Sequence, residues 1–208
     1  MNAFVDTEDV SNNTVVEAMR YTFELIPEVW NNVEHRQLAI GALLRVGTNM
    51  ILHNDIEDER IYPVHIHGNI GLARDVGFAI LLLECYDGRS DDSYAVKSAI
   101  VKGGAFANAS GCNARDLLKF YCKRISCSCL REKYRHARKT LPKLGKCTHC
   151  KQRMERSSLM TCGRCKVPLY CSRKCQVANW PVRHEERCGV FVDIRKCQEA
   201  QATQMMNK

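Results

Sequence analysis

Between residues 147 and 188 the chain sets seven cysteines and one histidine in close pairs: Cys147 and Cys150, Cys162 and Cys165, Cys171 and Cys175, His184 and Cys188. The rhythm is C-x2-C, C-x2-C, C-x3-C, H-x3-C. Two cysteines separated by two residues rarely close a relaxed disulfide, but two thiolates on one tight turn reach a single ion at about 2.3 Å. Residues four apart lie on one face of a helix, so the last two pairs can each grip one ion. Eight ligands fill two tetrahedral zinc ions completely. Sites closed in this way hold structure and leave no position for water or substrate. Spacing alone permits two pairings: interleaved, or the first four ligands followed by the last four.

Two zinc ions also answer a problem of size. A segment of about 45 residues is too small to fold on apolar burial alone. Structural zinc in such fingers contributes on the order of 10–16 kcal/mol. Leu159-Met160 and Leu169-Tyr170 are long enough for a small hairpin between the ligands. Ser172 suits a helix cap, Pro181 a bend at a second helix start, and Gly163 a knuckle turn with positive φ.

The residues around the ligands carry a resemblance. Cys147-Thr-His-Cys150, Cys162-Gly-Arg-Cys165, Tyr170-Cys171-Ser172-Arg173-Lys174-Cys175-Gln176, Trp180 and His184-Glu-Glu-Arg-Cys188 fall in the order of the MYND-type zinc finger, a family of protein-interaction domains. The resemblance covers about a fifth of the chain. It implies an interleaved cross-brace, with Cys147, Cys150, Cys171 and Cys175 on one zinc and Cys162, Cys165, His184 and Cys188 on the other. It implies a groove for short Pro-containing peptides of the P-x-L-x-P kind, with Leu169, Tyr170, Gln176 and Trp180 at the matching positions. One departure stands out: three residues separate Trp180 from His184, where the family has two.

Upstream of the finger the chain reads as helices without a strand pattern. Val15, Met19, Phe23 and Ile26 follow Asn13 and Thr14 at helical spacing. Apolar periodicity predicts a second helix from Val33 to Leu52, with Leu38, Leu43, Leu44, Met50 and Ile51 inward. Residues 54–60 read as a charged loop, 61–68 as irregular. Asn69 starts a third helix with Leu72, Val76, Ile80 and Leu83 on one stripe. A turn over 87–93 leads to a short helix over 94–101, ended by Gly103 and Gly104. Asn113 opens another with Leu117, Leu118 and Tyr121 inward, and a charged helix covers 132–139. The reading is a mainly α chain: a helical part over 1–145, a small cross-brace finger with a short hairpin and two short helices over 146–190, and a tail over 191–208 that is loosely ordered after Ala200.

Charge separates these parts. The formal net charge is +8, yet residues 1–114 carry 8 Lys/Arg against 16 Asp/Glu, while residues 115–146 carry 11 against 2. The belt Lys123, Arg124, Arg131, Lys133, Arg135, Arg138 and Lys139 reads as a solvated helix face docked on acids rather than as a contact with phosphate, and a nucleic-acid partner is not expected, since no aromatic stacking residues interleave with it. Cys122, Cys127 and Cys129, with His136, invite a third metal site, although C-x-C suits one tetrahedral ion poorly; reduced thiols packed between the parts fit better. His53, Asp55, His65 and His67 read as plain loop positions, and Cys85, Cys112 and Cys197 as isolated core or surface residues.

The expectation is therefore an intracellular adaptor, nuclear or cytoplasmic, in which a zinc finger recruits another protein. The alternative is a zinc-organised nucleic-acid binder using the basic belt. Catalysis is not expected: no P-loop, G-x-S-x-G or H-E-x-x-H occurs, nor any remnant of the methyltransferase domain that accompanies some fingers of this family. No run approaches the roughly 20 apolar residues of a membrane span. The acidic start, Met1 to Val10, lacks the basic region of a secretory signal.

Overall fold

Helix-forming periodicity becomes helix wherever the computed structural model describes the chain, which is residues 31–53, 69–86, 92–104, 106 and 113–206. The first predicted helix, the segments 54–68, most of the 87–93 turn, Cys112, and Asp55, His65 and His67 lie outside those residues. Among the described residues the molecule is mainly helical, with short strands confined to the C-terminal finger.

Helix α1 (Val33–Leu52) starts at Asn32, whose Oδ1 accepts bonds from the N–H groups of Glu34 and His35 at 2.8 and 3.2 Å. This side-chain cap satisfies donors that have no partner within the helix. Its inward face is Ile40, Gly47, Thr48 and Ile51. Leu38, expected inside, is 71 % exposed. Helix α2 (Asn69–Cys85) lies across α1 and is buried over Ala73, Val76 and the run Ala79 to Leu83. A helix apolar on most sides belongs at the centre of a bundle. Leu72, at its outer edge, is partly exposed.

Helix α3 (Asp92–Gly103) follows and stops at Gly104, which takes φ +38°. Helix α4 (Ala114–Cys122) is capped by Asn113 through Arg115 N–H at 3.1 Å and buries Leu117, Leu118, Phe120 and Tyr121. Tyr121 enters between α1 and α2. Its hydroxyl donates to the Ala73 carbonyl at 2.8 Å, and its ring occupies the space that a side chain at Gly47 would need. Glu84 of α2 ties the layers. It accepts two bonds from Arg124 at 2.8 and 2.9 Å and pairs with Lys102 of α3 at 3.0 Å. Helix α5 (Ser128–Thr140) buries Leu130 and Ala137, and Lys133 reaches the Leu52 carbonyl at the end of α1 at 3.3 Å.

The finger holds two antiparallel pairs rather than one hairpin. β1 (Leu144–Lys146) pairs with β2 (Arg153–Glu155), and β3 (Met160–Thr161) pairs with β4 (Leu169–Tyr170). Helix α6 (Arg173–Asn179) passes through a π-helical turn, Trp180–His184, into α7 (Glu185–Met206). The second finger helix is therefore long. It continues past 190 into the segment expected as a tail, and through residues 201–206 expected to be loosely ordered; Phe191 and Ile194 are buried and Gln198 Nε2 donates to the Ser98 carbonyl of α3 at 3.1 Å. Ile100 and Val101 of α3 pack on the finger's core. No described helix is long and apolar enough to cross a membrane.

Candidate metal centre

Local backbone geometry sets the ligands. Each C-x2-C pair sits on a turn closed by the next residue: Lys151 N–H bonds the Cys147 carbonyl, and Lys166 N–H the Cys162 carbonyl, both at 3.0 Å. Lys151 and Lys166 take φ of 62° and 60°. The left-handed residue of each knuckle is thus the lysine after the second cysteine, not Gly163, whose added Cβ would meet nothing within 4 Å. Ser172 caps α6 as expected, its Oγ accepting from Cys175 N–H at 3.3 Å. Cys171 lies just before that cap and Cys175 within the first turn, which brings their sulfurs to 3.4 Å.

Two groups of four ligands result: Cys147, Cys150, Cys171 and Cys175, then Cys162, Cys165, His184 and Cys188. Within each group the ligand atoms all lie within 4.8 Å of one another. The pairing is the interleaved one. Geometry tests the fit to zinc. Four thiolates at about 2.3 Å from a tetrahedral ion stand about 3.8 Å apart, and a sulfur and an imidazole nitrogen about 3.6 Å. The Cys150 and Cys171 sulfurs are 3.6 Å apart and those of Cys162 and Cys188 3.9 Å; Cys165 Sγ lies 3.6 Å from His184 Nε2. Among the described residues no third group forms. Cys127 instead caps α5, accepting from Leu130 N–H at 3.5 Å, and the Cys122 thiol donates to the Leu130 carbonyl at 3.4 Å. Cys129 and His136 are exposed, Cys197 is exposed, and half-buried Cys85 packs on the helical core. His53 closes the end of α1, its N–H bonding the Asn49 carbonyl at 3.1 Å.

The electrostatics of the sulfurs suit a dication. Burial opposes ionisation of Cys147, but the backbone N–H groups of Cys171, Cys150 and His149 favour its thiolate and bring its pKa down to about 7. Cys162 is lowered in the same manner, against burial, by the N–H groups of Cys165 and Arg164. Cys165 moves the other way, to about 12, chiefly through burial and then through the neighbouring Cys162 and Cys188. Burial, followed by Arg187, lowers the His184 pKa and so favours the neutral imidazole, the form that ligates metal. Crowded sulfurs that resist ionising together are relieved once a bound cation supplies positive charge at their centre.

The extra residue before His184 is absorbed as the π turn. An inserted residue widens one turn instead of rotating everything beyond it. His184 therefore faces Cys165 while Trp180 packs edge-on against its ring, centroids 5.4 Å apart. Tyr170 is fully buried, and its hydroxyl accepts a bond from Asn179 Nδ2 at 3.0 Å.

The four positions aligned with a partner groove divide. Leu169 and Tyr170 are buried, whereas Gln176 and Trp180 are half-buried. Gln176 Oε1 accepts from Arg173 Nη1 at 2.9 Å.

Residues 147–188 match the family model described as the MYND finger. No curated protein and no solved structure matches the chain. With the ligand order, the interleaved geometry and the family match in agreement, the segment from Cys147 to Cys188 is a MYND-type zinc finger with places for two structural zinc ions.

Proposed function

We propose that the chain is an intracellular, non-catalytic adaptor whose finger docks a short Pro-containing peptide of a partner protein. The observation that carries this reading is the open edge of β3. Leu169 directs both of its backbone groups away from β3: its N–H donates to Thr148 Oγ1 at 3.2 Å and its carbonyl accepts from Thr148 N–H at 2.8 Å. Thr161, directly opposite Leu169, is therefore a non-hydrogen-bonded partner, and its own N–H and C=O point outward along β3. An extended peptide can add there, with main-chain bonds giving affinity and side-chain pockets giving choice. Met160, 41 % exposed beside that edge, offers apolar surface.

In this reading Gln176 and Trp180 touch the peptide. Leu169 and Tyr170 act from beneath, as the floor that fixes β4. Both metal sites have four protein ligands, which supports a scaffolding role for zinc. The test is a P-x-L-x-P peptide array probed with the zinc-loaded protein, followed by titration of the best binder. Gln176→Ala with Trp180→Ala, shown to retain both zinc ions, should weaken binding at least tenfold. Full affinity in that folded variant would refute the reading.

A further inference from the structure

The basic belt of the sequence separates in the structure into cations that are used internally and cations that are not. Arg115 donates to the Leu141 carbonyl at 3.0 Å, Arg124 clasps Glu84, and Lys133 caps α1. Arg131, Arg135, Arg138 and Lys139 differ. All four are exposed on α5, at spacings of three, four and seven or eight residues that hold them on one face, opposite buried Leu130 and Ala137. Arg131 donates to the neutral Ser126 hydroxyl at 3.1 Å, and Arg138 lies 5.9 Å from the Tyr134 ring centroid. None of the four pairs with an acid among the described residues. Arg131 and Arg135, and Arg135 and Lys139, stand at i and i+4, where like charges repel, while Arg138 and Lys139 in the last turn complement the helix dipole.

We infer that this face of α5 is a docking surface for the phosphate backbone of a nucleic-acid duplex. Three features favour that occupant over an acidic protein. The stripe contains no exposed large apolar side chain, whereas the buried centre of a protein interface is depleted of charge and rich in aromatic residues. Three of the four cations are arginines, whose planar fork matches phosphate oxygens. Arg131 to Lys139 spans about 12 Å of helix, a length over which a duplex carries about seven phosphates. Exposed aromatic side chains, on which single strands stack, are missing from the same face: Tyr134 is half-buried with Arg138 near its ring.

This surface is separate from Gln176 and Trp180, so the two proposals stand or fall independently. The experiment is fluorescence anisotropy of a labelled mixed-sequence DNA duplex with the zinc-loaded full chain over a range of salt. Four neutralised phosphates predict a log K against log salt slope of roughly −3 to −4. Arg131→Gln, Arg135→Gln, Arg138→Gln and Lys139→Gln together should reduce low-salt affinity at least tenfold and leave the circular dichroism unchanged. Arg135→Gln alone should flatten the slope by about 1, and Gln176→Ala with Trp180→Ala should change nothing. Absence of binding at low salt, a flat slope, a fourfold variant that binds like the parent, or equal binding of a poly-glutamate peptide would each overturn the inference.

Discussion

Asn179 donates from Nδ2 to the Tyr170 hydroxyl at 3.0 Å, and this contact joins the two metal sites. Tyr170 precedes the ligand Cys171 and sets its ring centroid 6.4 Å from that of the ligand His184. Asn179 is the last residue of α6, directly before the π turn that carries His184. Both partners are buried. Asn179→Ala would strand the phenol without its donor, at a cost of about 1–3 kcal/mol. Chelator titration should show the variant releasing both zinc ions more readily than the parent. A variant that loses one ion early and keeps the other unchanged would show that the bond does not link the sites.

Removing the metal should melt the finger and leave α1, α2 and α4 folded. The helical core rests on ordinary side chains such as Ile80, Leu118 and Tyr121, whereas the finger's core is largely ligand: Cys147, Cys162, Cys165 and Cys188 lie in it with Val167, Tyr170 and Phe191. Native mass spectrometry should find two zinc ions. Chelation should collapse the amide dispersion of residues 147–188; unchanged dispersion would contradict the zinc-dependent fold.

Acid should weaken the helical part through Glu84. Burial raises its pKa, but the Arg124 hydrogen bonds and the Lys102 and Arg124 charges outweigh it and hold the carboxyl below its ordinary 4.5. A folded-state pKa below the unfolded one means that the carboxylate contributes stability above pH 4.5, and that this is lost as pH falls through the lower, folded value. In urea unfolding, the parent should exceed Glu84→Gln at neutral pH and approach it as the pH falls through the lowered, folded-state pKa. A gap that persisted in acid would assign the difference to shape, not charge.

The π turn should be removable. Val182 is 70 % exposed within it, so deleting Val182 shortens the Trp180 to His184 gap to two residues and lets the segment wind as an ordinary α turn. Such a variant is expected to keep both zinc ions, read by native mass spectrometry. Loss of the ion held by His184 and Cys188 would mean that the wide turn aims the imidazole rather than merely storing a residue.

Much of the site was legible because metal ligation demands particular residue types at particular spacings. All eight ligands, the Ser172 cap and the Asn113 cap needed no tertiary information. What escaped depended on contacts between distant segments. Leu38 fits an inward stripe by periodicity, yet Gly47 and Thr48 face the core because the Tyr121 ring takes the space above Gly47. Gly163 looked like the left-handed knuckle residue, but the turn places that conformation one step after the second cysteine, at Lys151 and Lys166. The pair β1 and β2 left no alternating pattern in three-residue strands, since the first knuckle between them sets their register. The length of α7 was hidden because its partner, α3, lies roughly a hundred residues earlier in the chain.

That long helix decides how the finger is carried. The ligand Cys188 and the docking residue Gln198 share one rigid rod, fixed by metal at one end and by the α3 carbonyl at the other. A finger mounted this way shares its helix with the contact to α3, so a partner bound there, as proposed, would be held at a set angle to the bundle, and stripping the ion would free the helix at its base.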